Sequence, residues 1–330
     1  MNAPDLTIVI VNWNGEKFLP NCLRSVAAFP PSVSYEVIVI DNCSSDNSLD
    51  WLNSVEAADL FPNRNYRVIE SSKNLGFGPA NNLVIDQTHS QFVFLLNPDT
   101  AVTPCAIDKL LAAVSSSEEV GMSAPKLLNE DGSLQPSVWI HPPGPTSILI
   151  EGLHIYRLLP YSIRSKLLLG KHWRHDERCL VPAVSGAAMM IKRKLVNDIG
   201  AFAPDIHMYG EDAELCDRMR KHGWKIIFEP EAEIVHLGGQ SSLQRWGASE
   251  TRIKETEAML AFQEKCLRPL LFSINTLTSS FVLSLYLLKA ILGGRDASML
   301  VRLLKLQMKG FWRSLAVITG TKNSRSSTTN

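Results

Sequence analysis

Residues 92–99 read Phe92-Val93-Phe94-Leu95-Leu96-Asn97-Pro98-Asp99, five apolar residues stopped by Asn-Pro-Asp. A run so short and uniformly apolar predicts a strand buried on both faces, the condition of a parallel strand between layers of helix. Upstream, residues 7–11, 35–40 and 67–70 repeat the pattern. Helical stretches at 17–28, 48–58 and 79–87 separate them. The alternation predicts an α/β fold with a mostly parallel central sheet and helices on both of its faces. Parallel sheets of this kind bind ligands at the carboxyl ends of their strands. Those ends read Asn12-Trp13-Asn14-Gly15, Asp41-Asn42, Ser71 to Gly78 and Asn97-Pro98-Asp99, all polar.

Downstream, strand-like stretches at 183–191 and 225–228 accompany a helix over 212–222 that Gly223 stops. Between the halves lies His141-Pro142-Pro143-Gly144-Pro145, then a basic stretch with Arg157, Arg164, Lys166, Lys171, Arg174 and Arg178. Such a passage reads as a loop covering a site or as a solvated surface loop. Residues 270–288 carry no charge over 19 positions, but seven of them are Ser, Thr or Asn and Pro269 opens the run. That composition favours an interfacial or protein-packed helix over a full span. After Gly293-Gly294, helical spacing puts Leu300, Leu304, Met308, Phe311 and Leu315 on one face and Arg302, Lys305, Lys309 and Arg313 on the other. A basic amphipathic helix suits an anionic membrane surface. The expected organisation is a ligand-binding half at 1–120, a second half of the same domain at 121–265, and a helical, membrane-associating tail at 266–330.

With 330 residues, 45% apolar and 20% charged, the chain is globular and not disordered. Lys plus Arg and Asp plus Glu are both 33, so no bulk positive charge calls for a nucleic acid. The balance is uneven, because residues 289–330 hold eight Lys/Arg, Lys322 and Arg325 included, against Asp296 alone. Cys22, Cys43, Cys105, Cys179, Cys216 and Cys266 form no C-x-x-C pair and read as small core residues of a reducing compartment. The apolar run from Ile8 is too short for a signal peptide, which places the expected protein in the cytoplasm.

Asp99 follows a buried strand, where a carboxylate can hold a hard cation or simply form a turn. Glu211-Asp212 opens the helix at 212, where acids serve as caps or, in an enclosed cleft, as a general base. His236 ends an apolar run before Gly238 and Gly239, glycines that allow close backbone approach to a ligand. Trp13 can stack on a base, and Asp41 can accept the imide proton of a uracil or thymine. Asn74-Leu75-Gly76-Phe77-Gly78 contains G-x-G, but Asn81 stands where a dinucleotide loop has its third glycine, and the loop follows the wrong strand.

In this order the motifs resemble those of the family 2 glycosyltransferases, nucleotide-sugar enzymes of the GT-A fold. The likeness is strongest to the bacterial rhamnosyltransferases and galactofuranosyltransferase-like enzymes of cell-envelope polysaccharide synthesis. It rests on Ile10-Val11-Asn12-Trp13-Asn14, Val39-Ile40-Asp41-Asn42, Asn74-x-Gly76-x-Gly78 with Asn81, and Leu96-Asn97-Pro98-Asp99. Ser185-Gly186-Ala187, Gly200-Ala201-Phe202, Tyr209-x-Glu211-Asp212 and Val235-His236 with Gly238 extend it. The resemblance implies that Trp13 and Asp41 bind the donor's base, with Asn74, Gly76, Gly78 and Asn97 along the nucleotide. It further implies Asp99 and His236 on a divalent cation, Mg2+ or Mn2+, and Asp212 beside Glu211 as the catalytic base. One departure is Asn97, where the family often carries the first acid of Asp-x-Asp. The implied reaction is inverting transfer from a nucleotide diphosphate sugar, dTDP-L-rhamnose foremost, to a lipid-linked or polysaccharide acceptor at the inner face of the cell membrane. The same residues also accommodate a UDP-galactofuranose or UDP-hexosamine donor, or a membrane-bound scaffold that binds nucleotide sugar without turnover.

Overall fold

The structure, a computed structural model, describes residues 3–61, 65–140, 142–204, 206, 209–237 and 240–321, without the side chains of 240–246 and 248. His141, Gly238, Gly239, Lys322 and Arg325, named above, lie outside the described residues. The chain runs β1 (Leu6–Asn12), α1 (Leu19–Ala28), β2 (Tyr35–Asp41), α2 (Ser48–Leu52), α3 (Val55–Asp59), β3 (Tyr66–Glu70), α4 (Phe77–Asp86) and β4 (Phe92–Leu96). Then come β5 (Thr100–Val102), α5 (Ala106–Val114), β6 (Val120–Leu128), β7 (Leu134–Gln135), α6 (Pro145–Gly152) and α7 (Tyr161–Leu168). The remainder is β8 (Cys179–Leu180), β9 (Ala188–Lys192), α8 (Arg193–Ile199), α9 (Glu211–Lys221), β10 (Lys225–His236), α10 (Gln240–Cys266), α11 (Pro269–Leu292) and α12 (Ser298–Ile318).

Two compact units result, Met1–Trp139 with Arg174–Arg245, and Ile140–Trp173 with Trp246–Asn330. The first holds one sheet in the order β3-β2-β1-β4-β9-β6-β10-β5, with β7 on β6 and β8 on β10. Strands β1 to β4 pair in parallel, as the apolar runs of β1, β2 and β4 imply, whereas β3, broken by Arg67 and ended by Glu70, lies at the sheet's edge with no buried residue, against the expectation of burial on both faces. Beyond β4 the sheet is mixed, since β9 runs antiparallel to both β4 and β6 and β5 runs antiparallel to β10. Every residue of β1 is buried, and Leu6, Ile8 and Ile10 share a core with Leu19, Leu23 and Val26 of α1. The strand order reverses direction between β1 and β4, which opens a crevice at their carboxyl ends.

Three local expectations are corrected. The single helix over 48–58 is two, because the Ser54 hydroxyl accepts the Ala57 N–H and starts α3 afresh. The passage after Pro145 is helical, not loop, in α6 and α7. Of the cysteines, only Cys22 and Cys216 are buried, while Cys43 and Cys105 are exposed, and all six are free thiols.

In the second unit, α11 turns its polar residues inward. Ser273, Asn275, Thr276 and Ser280 are buried, whereas Leu270, Leu277, Phe281, Leu288 and Leu292 are exposed. Most of the inward polar groups are paired: Asn275 donates to the Pro143 carbonyl at 2.8 Å and to Gln263 Oε1 at 3.2 Å, and Ser273 donates to Ser314 at 2.9 Å, while Asn275 Oδ1 is buried with no hydrogen bond among the described residues. Tyr286 donates to the Gly152 carbonyl at 2.8 Å, and a Cβ on Gly152 would come within 2.6 Å of Val282. The buried residues of α12 are Leu303, Gly310 and Ser314. This differs from the stripe its periodicity marks, because Gly310 lets the helix close on Phe272 and Thr276 of α11.

Candidate active site

Trp13, Asp41 and Asn97 to Asp99 follow β1, β2 and β4, which are adjacent in the sheet. Asp41 is 2% exposed and accepts hydrogen bonds from Asn12 Nδ2 at 2.9 Å, the Ser44 N–H at 2.9 Å and the Ser44 hydroxyl at 2.6 Å. A carboxylate offers about four acceptor positions, so one is left for an imide. Neighbouring Asn42 holds the loop after β3: its Oδ1 accepts the Leu75 N–H at 2.8 Å, and its amide donates to Asn74 Oδ1 and the Gly76 carbonyl, both at 3.3 Å. Asn74 Oδ1 also accepts the Gly76 N–H at 2.9 Å, in a turn where Gly76 has a φ of 85° that suits glycine.

Asp99 and His236 meet although 137 positions separate them, because β10 pairs antiparallel with β5 and sets His236 opposite Thr100. Both are buried, and His236 Nε2 lies 3.3 Å from Asp99 Oδ1. That nitrogen has no hydrogen bond, while Nδ1–H donates to Gln135 Oε1 at 2.6 Å. An Nε2 lone pair facing a carboxylate oxygen is an arrangement a cation relieves, and imidazole plus carboxylate is a donor set that Mn2+ accepts. Among the described residues no third His, Cys, Asp or Glu joins them, which suits an ion that completes its shell with water and substrate phosphate. The Asn97 amide makes no hydrogen bond among the described residues and brings an oxygen without charge. A cleft of about 410 Å³ opens beside Asp99, with Lys17, Asn21, Glu130 and Leu237 on its walls.

The acids of α9 sit across a short backbone link from Asp99. The Asn97 N–H donates to the Ala187 carbonyl at 2.9 Å, and the preceding residue, Gly186, donates its N–H to Asp212 Oδ2 at 3.0 Å. Asp212 Oδ1 accepts the Ala213 N–H at 2.7 Å. Two backbone donors and the positive end of α9 therefore hold this half-exposed carboxylate. Glu211 is different. It is buried, its Oε2 has no partner, and burial followed by the charge of Asp212 pushes its pKa up to about 8. Around it, Phe77 packs edge-on to Phe202 at 5.6 Å, and Asn82 clamps the Phe202 backbone through bonds of 2.8 and 2.9 Å. A Cβ on Gly78 would stand 3.0 Å from Phe202, so this glycine is needed for packing. Arg218 ties α9 to the Ile199 carbonyl at 2.6 Å and to Glu214 at 2.9 Å. Asn42, Asn82, Gln135 and Arg218 were not legible as site residues, since each acts through a distant backbone or side chain.

Residues 7–200 match the model of the glycosyl transferase family 2. The chain belongs to glycosyltransferase family 2. This glycosyltransferase is 29% identical to the N-acetylglucosaminyl-diphospho-decaprenol L-rhamnosyltransferase of Mycobacterium tuberculosis over 251 residues, 72% of this chain and 77% of the relative. It is 26% identical to the succinoglycan biosynthesis protein ExoO of Rhizobium meliloti, over 81% of this chain and 69% of that one. Among solved structures, a Pyrobaculum calidifontis mannosyltransferase in complex with GDP-Man and Mn2+ superposes with a TM-score of 0.59 at 14% identity, covering 95% of this chain and 88% of that one. Residues 1–349 of Staphylococcus aureus TarS give 0.51 at 14% identity, over 97% and 93% of the two chains. The fold of this glycosyltransferase is GT-A.

Proposed function

We propose that this glycosyltransferase moves a sugar, L-rhamnose from dTDP-L-rhamnose, to a hydroxyl of a lipid-linked acceptor in cell-envelope glycan synthesis, by single displacement with inversion. The observation that carries the chemistry is the paired arrangement at one sheet edge, with Asp99 and His236 at hydrogen-bonding range of each other and Asp212 held by the Gly186 N–H. The sugar and the lipid-linked acceptor draw on the Mycobacterium tuberculosis relative, whose name carries both.

In this reading Trp13 stacks on the base and Asp41 takes its imide through the acceptor position its internal bonds leave. The loop from Asn74 to Gly78 runs beside the nucleoside, and Asn97 lends an amide oxygen. Asp99 and His236 hold Mg2+ or Mn2+, which when bound neutralises charge on the leaving diphosphate. Asp212 removes the acceptor's hydroxyl proton as that oxygen attacks the anomeric carbon. Its two backbone donors fix the carboxylate's direction, so less positioning remains when the acceptor arrives. Glu211, kept neutral by burial, stands beside Asp212 without adding a second charge.

The outward face of α11 supports contact with the inner face of the membrane, where a polyprenyl-linked acceptor lies. The helix is long and apolar enough to cross a bilayer, but its inner side carries Ser273, Asn275, Thr276 and Ser280, most of whose polar groups bond within their own unit, which favours lying against the surface. An anionic surface has less support, because Arg302 pairs with Glu250 at 2.9 Å and Arg313 with Glu264 at 3.0 Å, leaving Lys305 and Lys309 for headgroups.

The test is transfer from a panel of dTDP- and UDP-sugars to a polyprenyl diphosphate-linked acceptor with Mn2+ or Mg2+. The expected result is rhamnosyl transfer with inversion. Transfer from a UDP-hexosamine and none from dTDP-L-rhamnose would refute the donor, and no transfer from any donor would favour a nucleotide-sugar-binding scaffold.

A further inference from the structure

Gln135 lies on β7, opposite Leu127 of β6, and faces the last residue of β10. Its amide has one possible orientation. Nε2 lies 3.0 Å from the main-chain carbonyl of His236, an oxygen that only accepts, so the NH2 group must be on that side. The same NH2 donates to Asn129 Oδ1 at 3.0 Å. Asn129 is fixed in turn, for its Nδ2 donates to the Ser133 hydroxyl at 2.8 Å, and that hydroxyl donates to Asp131 Oδ1 at 2.6 Å. A carboxylate can only accept, so every donor and acceptor from Asp131 back to Gln135 is determined. The end of the chain is Gln135 Oε1, an acceptor aimed at His236 Nδ1 at 2.6 Å.

We infer that Gln135 is a positioning residue that locks His236 in its Nδ1–H tautomer and so keeps the Nε2 lone pair directed at the space beside Asp99. An imidazole in water prefers the opposite tautomer, with the proton on Nε2, where it would block a cation. The amide therefore does for this histidine what outer-shell carboxylates and carbonyls do for metal-bound histidines elsewhere. The turn supplies the rigidity: Gly132, with a φ of 78°, and the Ser133 N–H to Asp131 bond at 2.9 Å close it without help from the rest of the sheet. The inference rests on the assignment of Asp99 and His236 as cation ligands.

The test compares Gln135→Leu, Gln135→Glu, Asn129→Ala and Asp99→Ala in the full chain. Mn2+ is titrated with UDP present and followed by the paramagnetic resonance of the free ion. Gln135→Leu should weaken Mn2+ by about 10–100-fold. Gln135→Glu, which keeps an acceptor at Nδ1 but sets its second oxygen against the His236 carbonyl and Asn129 Oδ1, should recover part of the lost affinity. Asn129→Ala removes one of the two acceptors that hold the Gln135 NH2 group, leaving the His236 carbonyl, and should give a smaller loss, which reads the same chain if the leucine variant does not fold. In the metal-free protein, long-range 1H–15N spectra should place the His236 proton on Nδ1, and in Gln135→Leu should show it moved toward Nε2. Unchanged affinity and an unchanged tautomer in Gln135→Leu, with Mn2+ lost in Asp99→Ala, would overturn the role of Gln135 alone. Mn2+ bound equally well by Asp99→Ala would refute the cation site itself, and the role of Gln135 with it.

Discussion

The sheet unit and the helical unit arrange polarity in opposite directions. At β1 and β4 the apolar residues are inside and polar Asn, Asp and Trp emerge only where the strands end. Along α11 the buried side mixes Ser273, Asn275, Thr276 and Ser280 with Phe272, Val282 and Ala290, and the exposed side is Leu, Ile and Phe. An apolar face left outward over several turns is what a surface built for a non-aqueous neighbour looks like, whereas polar groups confined to a sheet edge mark a site for a water-soluble ligand. Under the proposed function, one chain would carry both a site for a soluble donor and a surface suited to the medium of a lipid acceptor.

The contrast can be broken or sharpened by substitution. The largest effect is expected at Asp212, where Asp212→Asn should lower turnover by about 10²–10⁴-fold while nucleotide-sugar affinity, read by calorimetry, stays within a few-fold. Next comes the inverted helix. Asn275→Leu strands the Gln263 and Pro143 acceptors and should cost about 1–3 kcal/mol in urea unfolding. Phe281→Ser, on the outward face, should change stability by less than about 0.5 kcal/mol yet weaken binding to vesicles by about tenfold. Equal stability losses for the two would mean that α11 is not inside out.

Glu211→Gln tests the buried acid through pH. In the folded chain Glu211 keeps its proton up to about 8, while in the unfolded chain it loses it near 4.5. The original protein therefore loses stability as pH rises between those values, and the glutamine variant does not. The melting-temperature advantage of Glu211→Gln should be absent at pH 4, grow through neutrality and level off above pH 8. The smallest effect belongs to Arg302→Ala, where an exposed pair with Glu250 should contribute less than about 1 kcal/mol.

How much of this was legible follows from what each residue's surroundings demand. Strands β1, β2 and β4 were plain because burial on both faces leaves only apolar residues. Strand β6 was missed, since Ser123, Pro125 and Lys126 interrupt any apolar run, and its place is set by pairing with β10 and β9. Strand β10 read as two fragments because Glu229, Pro230 and Glu231 fall at a shift of register between Glu229 and Glu233. Asp99, Asp212 and His236 could be picked out from the ends of elements, where strand-end chemistry concentrates. Gln135 could not, because its importance lies in a partner 101 positions away. The seam of α12 escaped periodicity for a related reason: the hydrophobic stripe was visible, but a close approach through Gly310 chose a different face.

The proton on Glu211 has one more consequence. At neutral pH burial keeps the proton on Glu211, so this acid adds no negative charge to the start of α9, and its Oε2 stays buried without a hydrogen bond among the described residues. A sugar nucleotide arrives carrying its own anionic phosphates, and each fixed carboxylate near its path raises the electrostatic hill it must climb. By storing one acid in its uncharged form, the chain lowers that local repulsion beside the carboxylate proposed as its base.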